Sequence, residues 1–385
     1  MILELHLIQN FAPSNLNRSD TGSPKDCTFG GFRRARISSQ CFKRAIRWDS
    51  NFQKVLKANG GSVRTRQMIV EIAKQIASDE IKLDVATKIV SEIFKDGGIE
   101  RPEKGEEGEK GNTKLVFYMN GKTISEMAEK FKENWTNLTN KETKDVVIKQ
   151  LGELLAKSVK SPDIALFGRM LEIDSKKPFG KINLGMLGSS QVAHAISTHK
   201  VGMEFDYFTA VDDLLETGQV GAGMIGTVEF NSACFYRYLN VDVDQLQKNL
   251  QGIEKEISQS TKDLTKATVE AFIRSAIEAI PTGKQNSFAT HEKPNFVLAV
   301  VRDAGMCSLA NAFEKPAKAN QVKGLVEDSI EKFAEHWESV SGVYGDDAKA
   351  KNLIKTTNAD LKGLKDADSG NVNTLISNTM NAIFA

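Results

Sequence analysis

The order of apolar patterns along the chain constrains its fold more than any other feature of the sequence. Leu3–Leu7 alternates leucine with polar residues, which is the period-two pattern of a strand with one buried face. A turn-rich segment follows, and Ser38 and Ser39 then offer N-cap oxygens to a helix from about Gln40 to Trp48. The chain is therefore predicted to open with a strand and a helix.

The block from residue 49 to residue 165 is predicted to be a helical insertion after the first helix. From about Ser62 to Gly97, isoleucine, valine and alanine recur every three or four residues, which predicts two helices that break near Ser78-Asp79. Lys95–Thr113 is rich in charge and glycine, so we expect a flexible excursion there. Further helical patterns continue to about Ala165.

Strand patterns return beyond Gly180, at Thr227–Phe230, Phe235–Val243 and Phe296–Val301, with an amphipathic helix over about Val269–Ile280. Without the insertion, the order is strand, helix, strand, strand, helix, strand. This is the split-βαβ order of ferredoxin-like and RNA-recognition domains. We therefore predict an α+β fold with a discontinuous ferredoxin-like domain.

The distribution of charge narrows the class of partner. The net charge of the whole chain is +1, which taken alone disfavours a nucleic-acid ligand. Residues 1–47, however, carry eight basic and three acidic side chains, a local net charge of +5. The opening strand and helix are therefore the candidate site for an anionic partner.

The predicted helix carries polar and cationic side chains at helical spacing on one face, namely Gln40, Lys43, Arg44 and Arg47. Three more cations precede the helix, namely Arg33, Arg34 and Arg36. Free backbone N–H groups at a helix N-terminus favour anions, so these three arginines are expected to approach a phosphate bound there. The alternative interpretation is an ordinary solvated helix face.

No recognisable catalytic or metal-binding motif occurs in the sequence. Gly221–Gly226 matches the dinucleotide fingerprint, but a strand pattern follows it where a Rossmann loop would open a helix, so we interpret it as a hairpin or strand bend. His194 and His199 are five residues apart, which does not place them on one helix face. Asp212 and Asp213 are adjacent and point apart. We expect a protein without catalytic activity, metal or cofactor.

Cysteine usage and hydropathy predict the compartment. The four cysteines are widely spaced without a C-x-x-C pair, which fits a reducing environment. No apolar run approaches the roughly 18–20 residues of a membrane span, and Met1–Glu4 lacks the basic start of a secretory signal. We expect a cytoplasmic protein with no membrane partner.

The aromatic pair Tyr207-Phe208 precedes Thr209 in a glycine-rich segment that resembles a protruding hairpin. The pattern alone favours burial of both rings in the core. In a protruding hairpin, exposed rings would instead stack on bases or wedge between them. The residues themselves leave both interpretations open.

Nine blocks between residues 14 and 315 are distinctive, namely Ser14–Arg18, Phe29–Gly31, Arg34–Gln40, Lys43–Ala45, Asp163–Met170, Ala193–His199, Phe208–Leu214, Phe235–Tyr238 and Ala310–Lys315. In this order they resemble the CasC family, the repeated backbone subunits of type I-E CRISPR Cascade complexes. The last seventy residues match weakly.

The resemblance implies a hand-like arrangement. An RRM-like palm would comprise residues 1–48 and 180–385, helical fingers residues 49–179, and a β-hairpin thumb residues 203–227. Copies would stack head to tail along the spacer of a CRISPR RNA as a scaffold without enzymatic activity. The implied partners are the CRISPR RNA, the target DNA strand paired to it, further copies of the chain, the large and small Cascade subunits, the 5′-handle-binding subunit and the repeat-processing endoribonuclease.

The resemblance also implies site residues. By matching position, seven would hold the RNA backbone, namely Arg18, Lys25, Ser38, Gln40, Lys43, Arg44 and Arg47. Four would lie beside a displaced nucleotide, namely Met170, Tyr207, Phe208 and Thr209. Because spacers differ in sequence, such contacts should go to phosphate and sugar. Two alternatives stay open: a CRISPR RNA-processing endoribonuclease that uses His194 or His199, and a dinucleotide-binding oxidoreductase that uses Gly221–Gly226.

Overall fold

The structure is a computed structural model that describes residues 1–102, 113–211, 222–252 and 254–385. The chain divides into two units, each discontinuous in sequence. The first, which we call the sheet unit, comprises Met1–Asp49, Gln191–Val241 and Phe272–Ala385. The second, which we call the helical unit, comprises Ser50–Ser190 and Asp242–Ala271.

The strands of the described residues are, in chain order, β1 Ile2–Ser14, β2 Asp26–Phe29, β3 Phe32–Ile37, β4 Ser62–Thr65, β5 Phe117–Asn120, β6 Ser190–Val192, β7 Ala195–Ser197, β8 Glu204–Val211, β9 Ala222–Asp242, β10 Phe296–Arg302 and β11 Ala348–Lys355. The helices are α1 Ser39–Trp48, α2 Ser50–Ala58, α3 Met68–Ile76, α4 Leu83–Gly97, α5 Lys122–Asn134, α6 Lys141–Lys157, α7 Pro162–Phe167, α8 Val243–Gln251, α9 Gln259–Glu278, α10 Gln285–Phe288, α11 Leu325–Tyr344 and α12 Val372–Phe384.

The sheet unit is built around β1. The strand order is β11-β10-β1-β9-β7-β3-β2, and β6 and β8 also pair with β9. β1 pairs antiparallel with β10 from Ile2 opposite Arg302 to Ile8 opposite Phe296. Two predicted strands, Thr227–Phe230 and Phe235–Val243, fall in the single strand β9, except that Val243 already begins α8. The α+β class predicted from the element order is confirmed.

Both faces of β1 are buried, so the prediction of a single buried face is wrong. Glu4 and His6 are as fully enclosed as the leucines between them. The Glu4 carboxylate accepts hydrogen bonds from the Tyr238 hydroxyl at 2.6 Å, the Arg302 Nε–H at 2.7 Å and the Cys307 backbone N–H at 2.7 Å. Because a buried carboxylate must be paired and hydrogen-bonded, these partners make its burial possible.

His6, the other buried polar residue of this part of β1, is surrounded by aromatic side chains. Its Nδ1 lies 2.9 Å from the Tyr236 hydroxyl, and the rings of Phe333 and Trp337 pack edge-on against it. Burial, with a smaller contribution from the positive charge of Arg302, lowers the pKa of His6 to about 3. The imidazole is therefore neutral in the folded protein at neutral pH.

The helical unit contains its own hydrophobic core. Helices α3 to α6 contribute buried side chains that include Ile72, Phe94, Phe131 and Leu151, and Phe179 from a later turn packs into the same core. None of the helices in the described residues combines the length and apolarity needed to cross a membrane.

Two sequence expectations for the helical unit have different outcomes. The break near Ser78-Asp79 is confirmed, because α3 ends at Ile76 and α4 begins at Leu83. The helical start at Ser62 is wrong, because β4 pairs antiparallel with β5 there. The isoleucine repeat begins only at Ile69, so it carried no information about β4. Most of the Lys95–Thr113 excursion, residues 103–112, lies outside the described residues.

The buried His6 predicts a loss of stability in acid. Its pKa is lower in the folded than in the unfolded chain, so below about pH 6.5 the unfolded state binds a proton that the folded state excludes. We expect the free energy of unfolding to fall by roughly 2 kcal/mol from pH 6.5 to pH 5 through this residue. Urea denaturation at both pH values should show a smaller acid loss in His6→Leu. Equal acid losses in the two proteins would contradict this assignment.

Candidate nucleic-acid interface

Helix α1 presents the predicted stripe on its outward side. The Ser38 hydroxyl accepts the Cys41 backbone N–H at 3.3 Å and caps the helix. Phe42 and Ile46 are buried on the inner face. The outer face carries Gln40, Lys43, Arg44 and Arg47, of which Gln40 and Arg44 are exposed and the other two half-buried. Partial burial lowers the pKa of Lys43.

Arg237 fixes the inner face of α1, and sequence reasoning did not identify it as part of the site. The guanidinium is fully buried and lies 4.2 Å from the centroid of the Phe42 ring. It donates to the Gln9 Oε1 at 2.6 Å and to the Ala276 carbonyl at 2.7 Å. Burial lowers the pKa of Arg237 to about 9. The sequence offered one sign of this buried role, namely the position of Arg237 between two tyrosines in Phe235–Tyr238.

The backbone N–H groups at the start of α1 already have acceptors within the chain. The Ser38 N–H donates to the Asn17 Oδ1 at 2.8 Å, and the Ser39 N–H donates to the His194 Nδ1 at 3.3 Å. The Cys41 N–H is held by the capping hydroxyl of Ser38. The predicted anion site at free N–H groups is therefore wrong for these three groups. The Ser38 side chain is itself buried, and its contact with Cys41 leaves the hydroxyl proton as a donor.

Arg34 is structural, which corrects its predicted approach to a phosphate. It is fully buried, and its guanidinium donates to the carbonyls of Ser197 at 3.1 Å, Phe313 at 2.7 Å and Glu314 at 3.2 Å. Gly30 lies against the Glu314 carbonyl, where a Cβ atom would have no room. The arginine thus joins β3 to two distant segments of the sheet unit.

The neighbouring arginines are also partly engaged. Arg33 forms an ion pair with Asp26 at the surface. Arg36 donates to the Asp26 carbonyl at 3.2 Å, and its Nη1 lies 3.2 Å from the His194 Nδ1. Burial and the charges of Arg36 and Lys25 lower the pKa of His194. The contacts of Arg33 and Arg36 therefore hold the segment before α1 in place, and the two side chains also give that segment positive charge.

Three of the predicted site cations remain available to a ligand. Arg18 and Arg44 are exposed and Lys25 is half-buried, and within the described part of the chain none of them forms an ion pair. Burial raises the pKa of Cys41 to about 11, and the charges of Arg44 and Lys25 oppose that rise. Lys25, from the segment before β2, and Arg44, from α1, therefore both bring positive charge to the surroundings of Cys41.

The ribbon of β8 and β9 presents the predicted aromatic pair to solvent. β8 pairs antiparallel with the first part of β9, from Glu204 opposite Phe230 to Val211 opposite Ala222. Tyr207 is 62% and Phe208 39% exposed, and Thr209 is exposed as well. The interpretation of this pair as core, which the pattern alone favoured, is wrong.

The Phe208 ring packs directly against the backbone of Gly226. The two residues lie opposite each other in the ribbon, and a Cβ atom at Gly226 would overlap that ring. Ala222–Gly226 belongs to β9, so the glycine-rich motif does not open a helix, which agrees with its interpretation as a hairpin or strand bend. Gly221, Asp212 and Asp213 lie outside the described residues.

Met170 lies in the helical unit, whereas the other ten predicted site residues lie in the sheet unit. Its side chain is 83% exposed. The preceding Arg169 is buried and donates to the carbonyls of Leu184 at 2.7 Å and Leu155 at 3.0 Å. Burial lowers the pKa of Arg169 to about 10. Arg169 thus holds the loop from which Met170 projects.

The two candidate catalytic histidines have structural contacts. The His199 Nδ1 lies 2.8 Å from the Lys200 carbonyl, and its Nε2 accepts the Cys234 N–H at 3.2 Å. Both ring nitrogens of His199 are therefore in use, and burial lowers its pKa. Within the described residues, no three His, Cys, Asp or Glu side chains form a cluster that could hold a metal ion.

Comparisons with known proteins agree with the sequence resemblance. The sequence model of the CT1975-like protein family matches residues 3–382. A chain of a "CRISPR RNA-guided surveillance complex, pre-nicking" superposes with a TM-score of 0.81 at 28% identity, with 100% of each chain covered. A chain of a second "CRISPR RNA-guided surveillance complex" gives a TM-score of 0.71 at 24% identity, over 99% of this chain and 100% of that one.

The second of these structural matches supports the fold alone. No curated protein matches the chain significantly. The predicted resemblance to Cascade backbone proteins is confirmed, whereas the type I-E subtype stays a prediction.

The adjacent residues Arg33 and Arg34 allow a matched test of how much the buried contacts of Arg34 stabilise the fold. We expect Arg34→Ala to lower the free energy of unfolding by about 3 kcal/mol, because enclosed carbonyls lose their donors. Arg33→Ala removes only a surface ion pair and should cost less than about 1 kcal/mol. Urea denaturation of both variants measures the difference. Similar losses in the two variants would show that the buried contacts of Arg34 contribute little.

Proposed function

The chain belongs to the CT1975-like protein family, and we propose that it is the repeated backbone subunit of a type I-E CRISPR Cascade complex. In this role it oligomerises along the spacer of the CRISPR RNA and binds the sugar-phosphate backbone without sequence specificity. It presents the guide in short segments for pairing with target DNA, in antiviral defence or another RNA-guided process. The observation that carries the proposal is the outward cationic face of α1 over the buried Arg237.

The strand order supports an RRM-like palm in the sheet unit. The four central strands lie side by side in the order β10-β1-β9-β7. If β1, β7, β9 and β10 are counted as strands one to four of a ferredoxin-like domain, this spatial order is 4-1-3-2. α1 follows the first strand and α9 follows the third, as in a ferredoxin-like domain. We assign the helical unit to the fingers and the β8–β9 ribbon to the thumb.

The polarity of the α1 surface suits a ligand whose sequence varies. Arg18, Lys25, Lys43, Arg44 and Arg47 are long cationic side chains, which contact phosphates without reading bases. Gln40 and the Ser38 hydroxyl add donors for phosphate or ribose oxygens. Base pairing with the guide then supplies the specificity for the target.

Exposed side chains on the ribbon and on the helical unit support the presentation of the guide in short segments. Tyr207, Phe208 and Thr209 lie on the ribbon, and Met170 projects from the helical unit. We infer that these side chains wedge beside a displaced nucleotide, at a gain of about 1–3 kcal/mol for each stacked base. Displacement at regular intervals would leave short stacked runs whose pairing edges face the target strand.

The proposal includes the partners of such an assembly. Copies of the chain would stack head to tail, with the thumb of one copy reaching over the guide segment of the next. The large and small subunits, the 5′-handle-binding subunit and the repeat-processing endoribonuclease would complete the complex. The chain itself would be a cytoplasmic scaffold without catalytic activity, metal or cofactor.

Removal of the stripe should weaken RNA binding uniformly. We expect the triple variant Lys43→Ala, Arg44→Ala and Arg47→Ala to bind all spacer sequences less tightly, with a slope of log K against log salt shallower by about 2. The control variant replaces Lys349, Lys362 and Lys365, which lie in ion pairs with carboxylates, and loses the same charge. Filter binding at several salt concentrations measures both. Equal weakening by the control would contradict a local site.

The alternative function, a CRISPR RNA-processing endoribonuclease, has a direct test. We expect purified protein to leave labelled repeat RNA intact, because both ring nitrogens of His199 are occupied and the His194 Nδ1 faces the start of α1. Gel analysis after incubation without metal measures cleavage. Cleavage that is lost in His194→Ala would instead establish the enzyme.

A further inference from the structure

A groove of about 800 Å³ lies beside α1 within the sheet unit. Its walls come from the segment around Arg18, from the second half of α1, and from the segment between Glu278 and Lys293. Its volume falls in the range of roughly 300–1,000 Å³ that is usual for small-ligand sites. The groove is therefore large enough for a nucleotide.

Trp48 stands at the edge of this groove. It is the last residue of α1, it is 58% exposed, and it belongs to the groove lining. The Arg47 guanidinium lies 5.6 Å from the centroid of its ring, which restricts the motion of the indole. By contrast, Trp337 is buried and Trp135 is half-buried. A large exposed aromatic surface beside a cationic stripe is suited to stacking.

The charges that line the groove favour a base over a bare phosphate. Cations and carboxylates both occur there, namely Arg18, Arg44, Lys293, Asp20, Asp49 and Glu278. The Asp49 carboxylate also accepts the Ser275 hydroxyl at 2.7 Å. A phosphate would be repelled by the carboxylates, whereas the edge of a base offers both donors and acceptors. The mixed lining can therefore satisfy any of the four bases.

We propose that this groove binds one unpaired base of the guide RNA, with the Trp48 indole as the stacking surface and Arg18 and Arg44 on the flanking phosphates. The proposal rests on the RNA-binding function proposed above and adds a base site to it. Because every base has an aromatic face, stacking on Trp48 keeps the binding independent of spacer sequence.

Intrinsic tryptophan fluorescence provides the test. The full-length chain, freed of nucleic acid, is titrated with a single-stranded RNA oligonucleotide of mixed sequence. We expect the RNA to quench the emission, with the quenching lost in Trp48→Phe and retained in Trp135→Phe. Trp48→Ala should bind RNA about five- to 150-fold more weakly, whereas Trp48→Phe should stay within about threefold of the parent chain.

The outcomes separate this inference from the proposed function. RNA binding that is unchanged in Trp48→Ala, or quenching that persists in Trp48→Phe, would overturn the base site while leaving RNA binding intact. Failure of the parent chain to bind RNA would contradict the proposed function itself. Emission that changes with protein concentration and not with RNA would assign Trp48 to a contact between copies, which also overturns the base site. Circular dichroism of each variant verifies the fold.

Discussion

The burial of the Arg237 guanidinium is the interaction on which the proposed RNA surface depends. β9 supplies the arginine, β1 supplies Gln9, α9 supplies the Ala276 carbonyl, and α1 supplies the ring of Phe42. An enclosed charge without partners costs on the order of several kcal/mol, so the four elements must keep these positions together. The inner face of α1 is thereby fixed. Its polar and cationic residues consequently face outward.

The basic side chains of the first 47 residues divide into two groups. Arg34 holds backbone carbonyls in the interior, and Arg33 and Arg36 are engaged around Asp26. Among the remaining cations, Arg18 and Arg44 are exposed, whereas Lys25, Lys43 and Arg47 are half-buried. The local charge of +5 therefore overstates the attraction for phosphate, and the contacts of each arginine decide its role.

Local features could be predicted from the sequence, and long-range features could not. The cap at Ser38 and the stripe on α1 depend on neighbours three or four residues apart, so the sequence contains that information. The Arg34 carbonyl partners at Ser197 and Phe313 are 163 and 279 residues away, and no periodicity reports them. Burial of Glu4 and His6 likewise depends on distant partners such as Arg302. Alternation alone therefore predicted a solvent-facing side of β1.

The nucleic acid that accompanies the native assembly tests the central claim most directly. The chain is expressed together with a CRISPR array, the assembly is purified, and its RNA is extracted, sized and sequenced. We predict one defined length of RNA that carries the spacers of the array, each in proportion to its expression and without preference for any sequence. An assembly free of nucleic acid, or one that holds RNA of unrelated sequence and mixed length, would contradict the account.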